Sequence, residues 1–126
     1  MMRQLLIVAL GGAFGSALRH LVNLGAVRVF GPSFPVGTLA VNVLGSFAMG
    51  IVVEVLARRF GGSPELRLLL ATGVLGGFTT FSSLTLDVAT LSERGDGLLA
   101  FLYLAATLLL GLGALFSGLA LARHLA

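Results

Sequence analysis

In a chain with five acidic residues, two histidines and no cysteine, the polar residues lying inside long apolar runs are the ones able to do chemistry. Thr38, Asn42, Ser46, Gly50 and Glu54 recur every four residues, so on a helix they share one slowly drifting polar or small face. The mid-run amide of Asn42 carries donors and an acceptor that hydrocarbon cannot satisfy. It therefore needs a neighbouring helix or a polar solute, and on the stripe alone both interhelical glue and a solute pathway are open. Glu54 falls near the end of its run, with Arg58 four residues on as a partner.

A second cluster is Gly76-Gly77-Phe78-Thr79-Thr80-Phe81-Ser82-Ser83. Two glycines followed by four hydroxyl residues within six positions continue a helix poorly. A break at this depth is tolerated only where it is buried in protein or lines a wet cavity. Such a break turns backbone carbonyls off the helix axis and makes them available to a cation. The alternative is a continuous helix whose glycines only permit close packing. Beyond the cluster, Thr80, Ser83 and Asp87 share one face, with Phe81 and Leu84 on the neighbouring one. An intramembrane Asp87 is a functional candidate, or a solvated residue if it lies at the span end. Tyr103, Thr107 and Gly111 form a shorter row at the same four-residue spacing, in which Tyr103 also reads as an interfacial aromatic. Gly11 and Gly15 make a GxxxG pair that favours close helix contact. Arg19 follows on the same face and must pair with carbonyls or lie in an aqueous vestibule.

Other chemistries lack their residues. His20 and His124 are far apart, and no His, Asp or Glu cluster has metal-ligand spacing. The glycines at 11–15 follow no strand and make no dinucleotide loop. No Ser in an apolar run has a His base near it, so the reading is not an enzyme.

These residues must be positioned by elements suited to lipid. The 126 residues are 57% hydrophobic and only 10% charged, against roughly 25% in a soluble domain, and cannot cover a water-facing surface. The length allows one domain. Four apolar runs, 4–26, 36–57, 65–91 and 98–122, are each near the ~20 residues that cross a bilayer. The expected architecture is an all-α membrane protein of four transmembrane helices. Gly31-Pro32 separates the first two runs; Ser63, Pro64 and Glu65 mark a capped helix start, and Asp96 is placed to cap the fourth span. The apolar run at the N-terminus reads as the first span rather than a cleaved signal.

All eight basic residues are arginines, scattered at span ends, which excludes a nucleic-acid face. Arg3, Arg58, Arg59, Arg67 and Arg123 fall on the side of both termini, with Arg28 and Arg94 opposite. That bias mildly favours cytoplasmic termini and is small enough to permit insertion in both orientations.

Across essentially the whole chain the motifs resemble the small dual-topology fluoride channels of bacteria, the Fluc or CrcB family. The resemblance is carried by Gly11-Gly12-x-x-Gly15-x-x-x-Arg19, by Gly37-Thr38-Leu39-x-Val41-Asn42-x-x-Gly45-x-Phe47 and, most specifically, by Gly76-Gly77-Phe78-Thr79-Thr80-Phe81-Ser82. It implies a fluoride-selective channel in the plasma membrane, exporting cytoplasmic fluoride passively. It implies an antiparallel homodimer with two pores, a third helix broken at mid-membrane, and a structural Na+ on the two-fold axis held by the carbonyls of Gly76 and Thr79. Hard oxygen ligands suit that cation. Asn42 would donate to fluoride and Phe81 would offer its ring edge. Thr80, Ser83, Tyr103 and Thr107 would line the polar route, and Arg19 would raise the anion concentration in the vestibule.

Leu84 stands where the family usually has a second Phe, so this chain either lacks one aromatic contact or pairs with a paralogous subunit that keeps it. Asp87 stands where Glu is commoner, and Gly111 replaces a hydroxyl residue. Two other readings are a small dual-topology cation or drug exporter and a non-transporting membrane scaffold. The exporter needs an acid in its first span, and residues 4–24 contain none.

Overall fold

The structure is a computed structural model that describes residues 1–125. Every regular element among them is helical: α1 (Met2–Phe30), α2 (Val36–Arg58), α3 (64–78), α4 (Phe81–Glu93) and α5 (Gly97–Leu125). Four helices are long and apolar enough to cross a membrane, namely Met2–Phe30, Val36–Arg58, Pro64–Glu93 and Gly97–Leu125. The third, Pro64–Glu93, contains α3 and α4. Its mean hydropathy of 1.4 is the lowest of the four, and it carries the hydroxyl-rich cluster.

Between 11% and 22% of each span is buried within the chain, so most of its apolar surface faces outward. Leu10, Phe14, Leu98, Leu109 and Phe116 are all more than half exposed. Outward Leu and Phe need no cover where the surroundings are hydrocarbon.

The helix ends follow local chemistry. Gly31, with φ 79°, turns the chain out of α1 in a conformation that L side chains resist. The Ser63 hydroxyl accepts from the Leu66 N–H at 3.3 Å, with Pro64 at the first helical position. The Asp96 carboxylate accepts from Arg94 Nε at 3.0 Å. α3 begins as a short α-helix (Pro64–Arg67), widens into a π-helix over Leu68–Leu75 and returns to α geometry at Gly76–Phe78. The widened stretch and the α-helical turn after it both pack on α1.

Small residues set the helix contacts. A Cβ on Gly15 would strike the Val74 carbonyl, and one on Gly11 would lie 3.0 Å from the Gly73 Cα. Across the molecule, α2 packs on α5 through Gly50 and Gly118, where added methyls would strike the Leu115 and Phe47 carbonyls. Without a hydrophobic force between helices in lipid, such backbone approach supplies the packing energy. The core proper is Leu84, Leu91, Ala100 and Tyr103, between α4 and α5.

Both termini and the α2–α3 turn lie at one end. There Arg3 pairs with Glu65 at 2.7 Å, and Glu54 accepts from Arg58 at 2.7 Å while facing Arg123 at 3.3 Å. At the other end Arg94 Nη2 donates to the Ser33 carbonyl at 2.9 Å, tying the two loops of that side.

Candidate functional site

The site is built where α3 passes into α4. Thr79 (ψ 158°) and Thr80 (φ −151°, ψ 122°) are extended, with helix on either side of them. The hydroxyl cluster is the local reason, since Thr and Ser side chains compete for the backbone's own partners. Thr79 Oγ1 donates to the Leu75 carbonyl at 2.9 Å, and Thr80 Oγ1 caps α4 by accepting from the Ser83 N–H at 3.1 Å.

The Thr79 N–H still reaches the Leu75 carbonyl at 3.0 Å, and Asn42 supplies what Thr80 loses. Its Oδ1 accepts from the Thr80 N–H at 2.8 Å and its Nδ2 donates to the Thr80 carbonyl at 3.0 Å. The Thr80 N–H can only donate, which fixes the orientation of the amide. One Nδ2 proton remains. Gly45, one turn along α2, leaves the space into which the Thr79 methyl packs, so α2 approaches closely enough for the amide to reach.

Asn42, Thr79, Thr80, Phe81 and Thr107 all line one groove of about 420 Å³ between α2, α4 and α5. Its remaining wall is largely apolar, with Met49, Leu84, Leu108, Leu112 and Leu115. Phe81 is 75% exposed at its rim, whereas Leu84, on the next turn of the same helix, is 4% exposed and belongs to the core. Thr107 Oγ1 donates to the Tyr103 carbonyl at 2.8 Å, so its proton is committed.

Ser83 is placed elsewhere. It lines a second cavity of about 340 Å³ with Asp87, Thr38, Asn23 and Arg94, nearer the Ser33 end of the molecule. Tyr103 lines neither space. It is 1% exposed, stacks edge-on against Phe34 with ring centroids 5.5 Å apart, and donates to Asp87 Oδ2 at 2.9 Å. The ring is thus enclosed by protein rather than presented outward: α4 and Phe34 cover it, and Asp87 gives the hydroxyl a partner inside. Tyr103→Phe leaves that carboxylate without its donor. It is expected to lower stability by about 1.5–3 kcal/mol, read as a lower melting temperature in detergent; a melting temperature equal to the parent's would show the contact to be idle.

Arg19 Nε donates to the Gly77 carbonyl at 3.0 Å, so the first span brings a cation to the turn just before Thr79 and Thr80. Among the described residues no side-chain hydrogen bond, and no backbone one outside the helices, ends on the carbonyls of Gly76 or Thr79, and Gly76 is exposed on the outer face. Those two oxygens are hard, neutral and unspent. The residues not singled out in the sequence are Asn23 and Phe34. An amide inside the first apolar run was the available sign for Asn23, by the argument applied to Asn42; Phe34, in a loop, carried no sign.

The fold and groove define a multi-pass helical membrane protein whose polar groups are gathered around the extended residues Thr79 and Thr80. A family profile described as CrcB-like protein, Camphor Resistance (CrcB), matches residues 6–119, and the chain belongs to that family. It is 56% identical over 124 residues to a protein of Mesorhizobium japonicum named Fluoride-specific ion channel FluC, covering 98% of this chain and 99% of the relative. A protein of the same name from Rhizobium etli is 55% identical over 125 residues, covering 99% and 100% of the two chains. Another, from Chelativorans, is 56% identical over 124 residues, with 98% and 99% covered.

Proposed function

We propose that this protein is a fluoride-selective ion channel, not an enzyme, through which cytoplasmic fluoride leaves the cell passively across the plasma membrane. Relatives bearing that name match it end to end, but the observation that carries the reading is the Asn42–Thr80 amide pair opening onto a groove with an aromatic rim. Fluoride is small and strongly hydrated, so a pore must replace its water shell with donors. A neutral amide proton can do so without holding the ion too tightly to leave, as conduction requires. The ring edge of Phe81, the positive end of its quadrupole, supplies a weak second contact.

The proposed assembly is an antiparallel, dual-topology dimer with two pores and the third span broken at mid-membrane. The partner is a second copy in inverted orientation, or a paralogous subunit that restores the aromatic Leu84 lacks. Its support is the outward face formed by Gly76, Phe81, Ser82, Thr85 and Leu86, which this chain leaves exposed. A structural Na+ between the subunits fits the unspent carbonyls of Gly76 and Thr79, two from each copy. It would supply fixed positive charge, while this chain's residues hold the break open: Asn42 through Thr80 and Arg19 through Gly77. Thr80 and Thr107 line the remainder of the route in this groove and Ser83 continues it in the second cavity, Tyr103 stands in the core behind them, and Arg19 faces the vestibule.

Purified protein in liposomes loaded with potassium fluoride is expected to release fluoride on addition of valinomycin, and to hold chloride. No fluoride release, or chloride passing equally fast, overturns the reading.

A further inference from the structure

The groove's donors can be followed one proton at a time. Its polar side chains are Asn42, Ser46, Thr79, Thr80 and Thr107. The Thr79 and Thr107 hydroxyls are committed to the Leu75 and Tyr103 carbonyls, and Thr80 Oγ1 lies 3.4 Å from Ser82 Oγ while capping α4. Asn42 has one amide proton left after Thr80. Ser46, half-buried one turn beyond Asn42 on α2, makes no hydrogen bond among the described residues, although a membrane interior offers it none from solvent. No buried side-chain polar atom of the described residues lacks a partner, so the Ser46 hydroxyl is open to the groove.

Opposite stands Gly111, on α5. A Cβ placed there would meet only Ser46 Oγ, at 3.7 Å, which is ordinary contact. The wall beside the hydroxyl is therefore recessed by a side chain's width. Farther along, the lining becomes Met49, Leu112 and Leu115. An ion that has left Asn42 in that direction meets no other uncommitted donor on α2.

We propose that Ser46 and Gly111 form a second anion subsite, in which the Ser46 hydroxyl donates to fluoride one helical turn beyond Asn42 and Gly111 supplies the room. The subsite rests on the channel reading. Both groups are neutral, so it lowers the barrier to leaving Asn42 without creating a trap.

The test is fluoride efflux from proteoliposomes. Ser46→Ala is expected to slow efflux about tenfold, the effect of one lost donor to an ion. The double variant Ser46→Ala/Gly111→Ser returns a hydroxyl to the same space from the facing wall, and is expected to recover the rate to within about threefold of the parent. A packing role for Ser46 would not be rescued in that way. Ser46→Ala at the parental rate, or a double variant as slow as Ser46→Ala, overturns the subsite and leaves the channel standing. A parent that passes no fluoride overturns both.

Discussion

Asn42→Ala is expected to abolish fluoride flux, to about a hundredfold or more below the parent. The side chain makes two hydrogen bonds to one residue, accepting from the Thr80 N–H at 2.8 Å and donating to the Thr80 carbonyl at 3.0 Å. The Thr80 N–H has no helical partner, because the backbone is extended there, whereas its carbonyl stands at the N-cap of α4 and also starts that helix. Truncation thus leaves the Thr80 N–H unsatisfied in a water-poor setting, at roughly 1–3 kcal/mol, and takes one donor from its carbonyl. The upper end of that range, about 3 kcal/mol, is already near a hundredfold in population of the working conformation. The remaining Nδ2 proton, the donor offered to the anion, goes as well. Asn42→Asp separates the two losses. It keeps an acceptor for the Thr80 N–H but sets a second oxygen against the Thr80 carbonyl, and it places negative charge where fluoride must pass. Both variants are expected to be silent in the liposome assay, with Asn42→Asp the better folded by thermal melting only below the pKa of its carboxyl, where protonation restores a donor. Flux within threefold of the parent in Asn42→Ala would remove Asn42 from the site.

The amide illustrates how far the sequence could be read. The four-residue stripe on α2 left two meanings open, glue and pathway, because period alone places a residue on a face without saying what it touches. The structure gives the amide both an interhelical partner and a place in a groove wall. Local signals were legible because their causes are local: the Ser63 cap, Pro64 at the first helical position and the Glu54–Arg58 pair each lie within four residues. The span ends differ from the expected ones by up to four residues, since helices continue past the hydrocarbon into the interface. What could not be read depended on neighbours. The π-helical Leu68–Leu75 is composed of ordinary apolar residues, and its widening coincides with the backbone contact to Gly11 and Gly15. Phe81 and Leu84 sit on adjacent faces by spacing, yet one is at the rim and the other in the core, because α5 covers only one of them. Tyr103 reads as interfacial until Phe34, from a loop about seventy residues earlier, is found against its ring. Arg19 was placed with carbonyls or in a vestibule, and the carbonyl of Gly77 is the partner seen.

Gly15→Ala is expected to cost about 3 kcal/mol of stability and most of the fluoride flux, although Gly15 itself lines neither groove. That methyl would strike the Val74 carbonyl and lie 2.9 Å from the Phe78 nitrogen, and both obstacles are backbone. A side chain in the way can rotate; a carbonyl within a helix can yield only if the helix moves. The helix that must move is α3, and Phe78 is its last helical residue before Thr79 and Thr80. Displacing it pulls Thr80 from the Asn42 amide and Gly77 from Arg19, whose three hydrogen bonds to Thr80 and Gly77 are all 3.0 Å or shorter. Stability and conduction should therefore fall together. Gly25→Ala, on the same helix, isolates the cause. Nothing lies within 4 Å of its added Cβ, so the substitution brings only the higher helix propensity of Ala, worth up to about 1 kcal/mol. Thermal melting in detergent should thus move in opposite directions, down by several degrees for Gly15→Ala and level or up for Gly25→Ala, with fluoride efflux retained in the second alone. Equal melting of Gly15→Ala and the parent would mean that α1 and α3 do not meet through this glycine, and that the break is positioned from α2 without the first span.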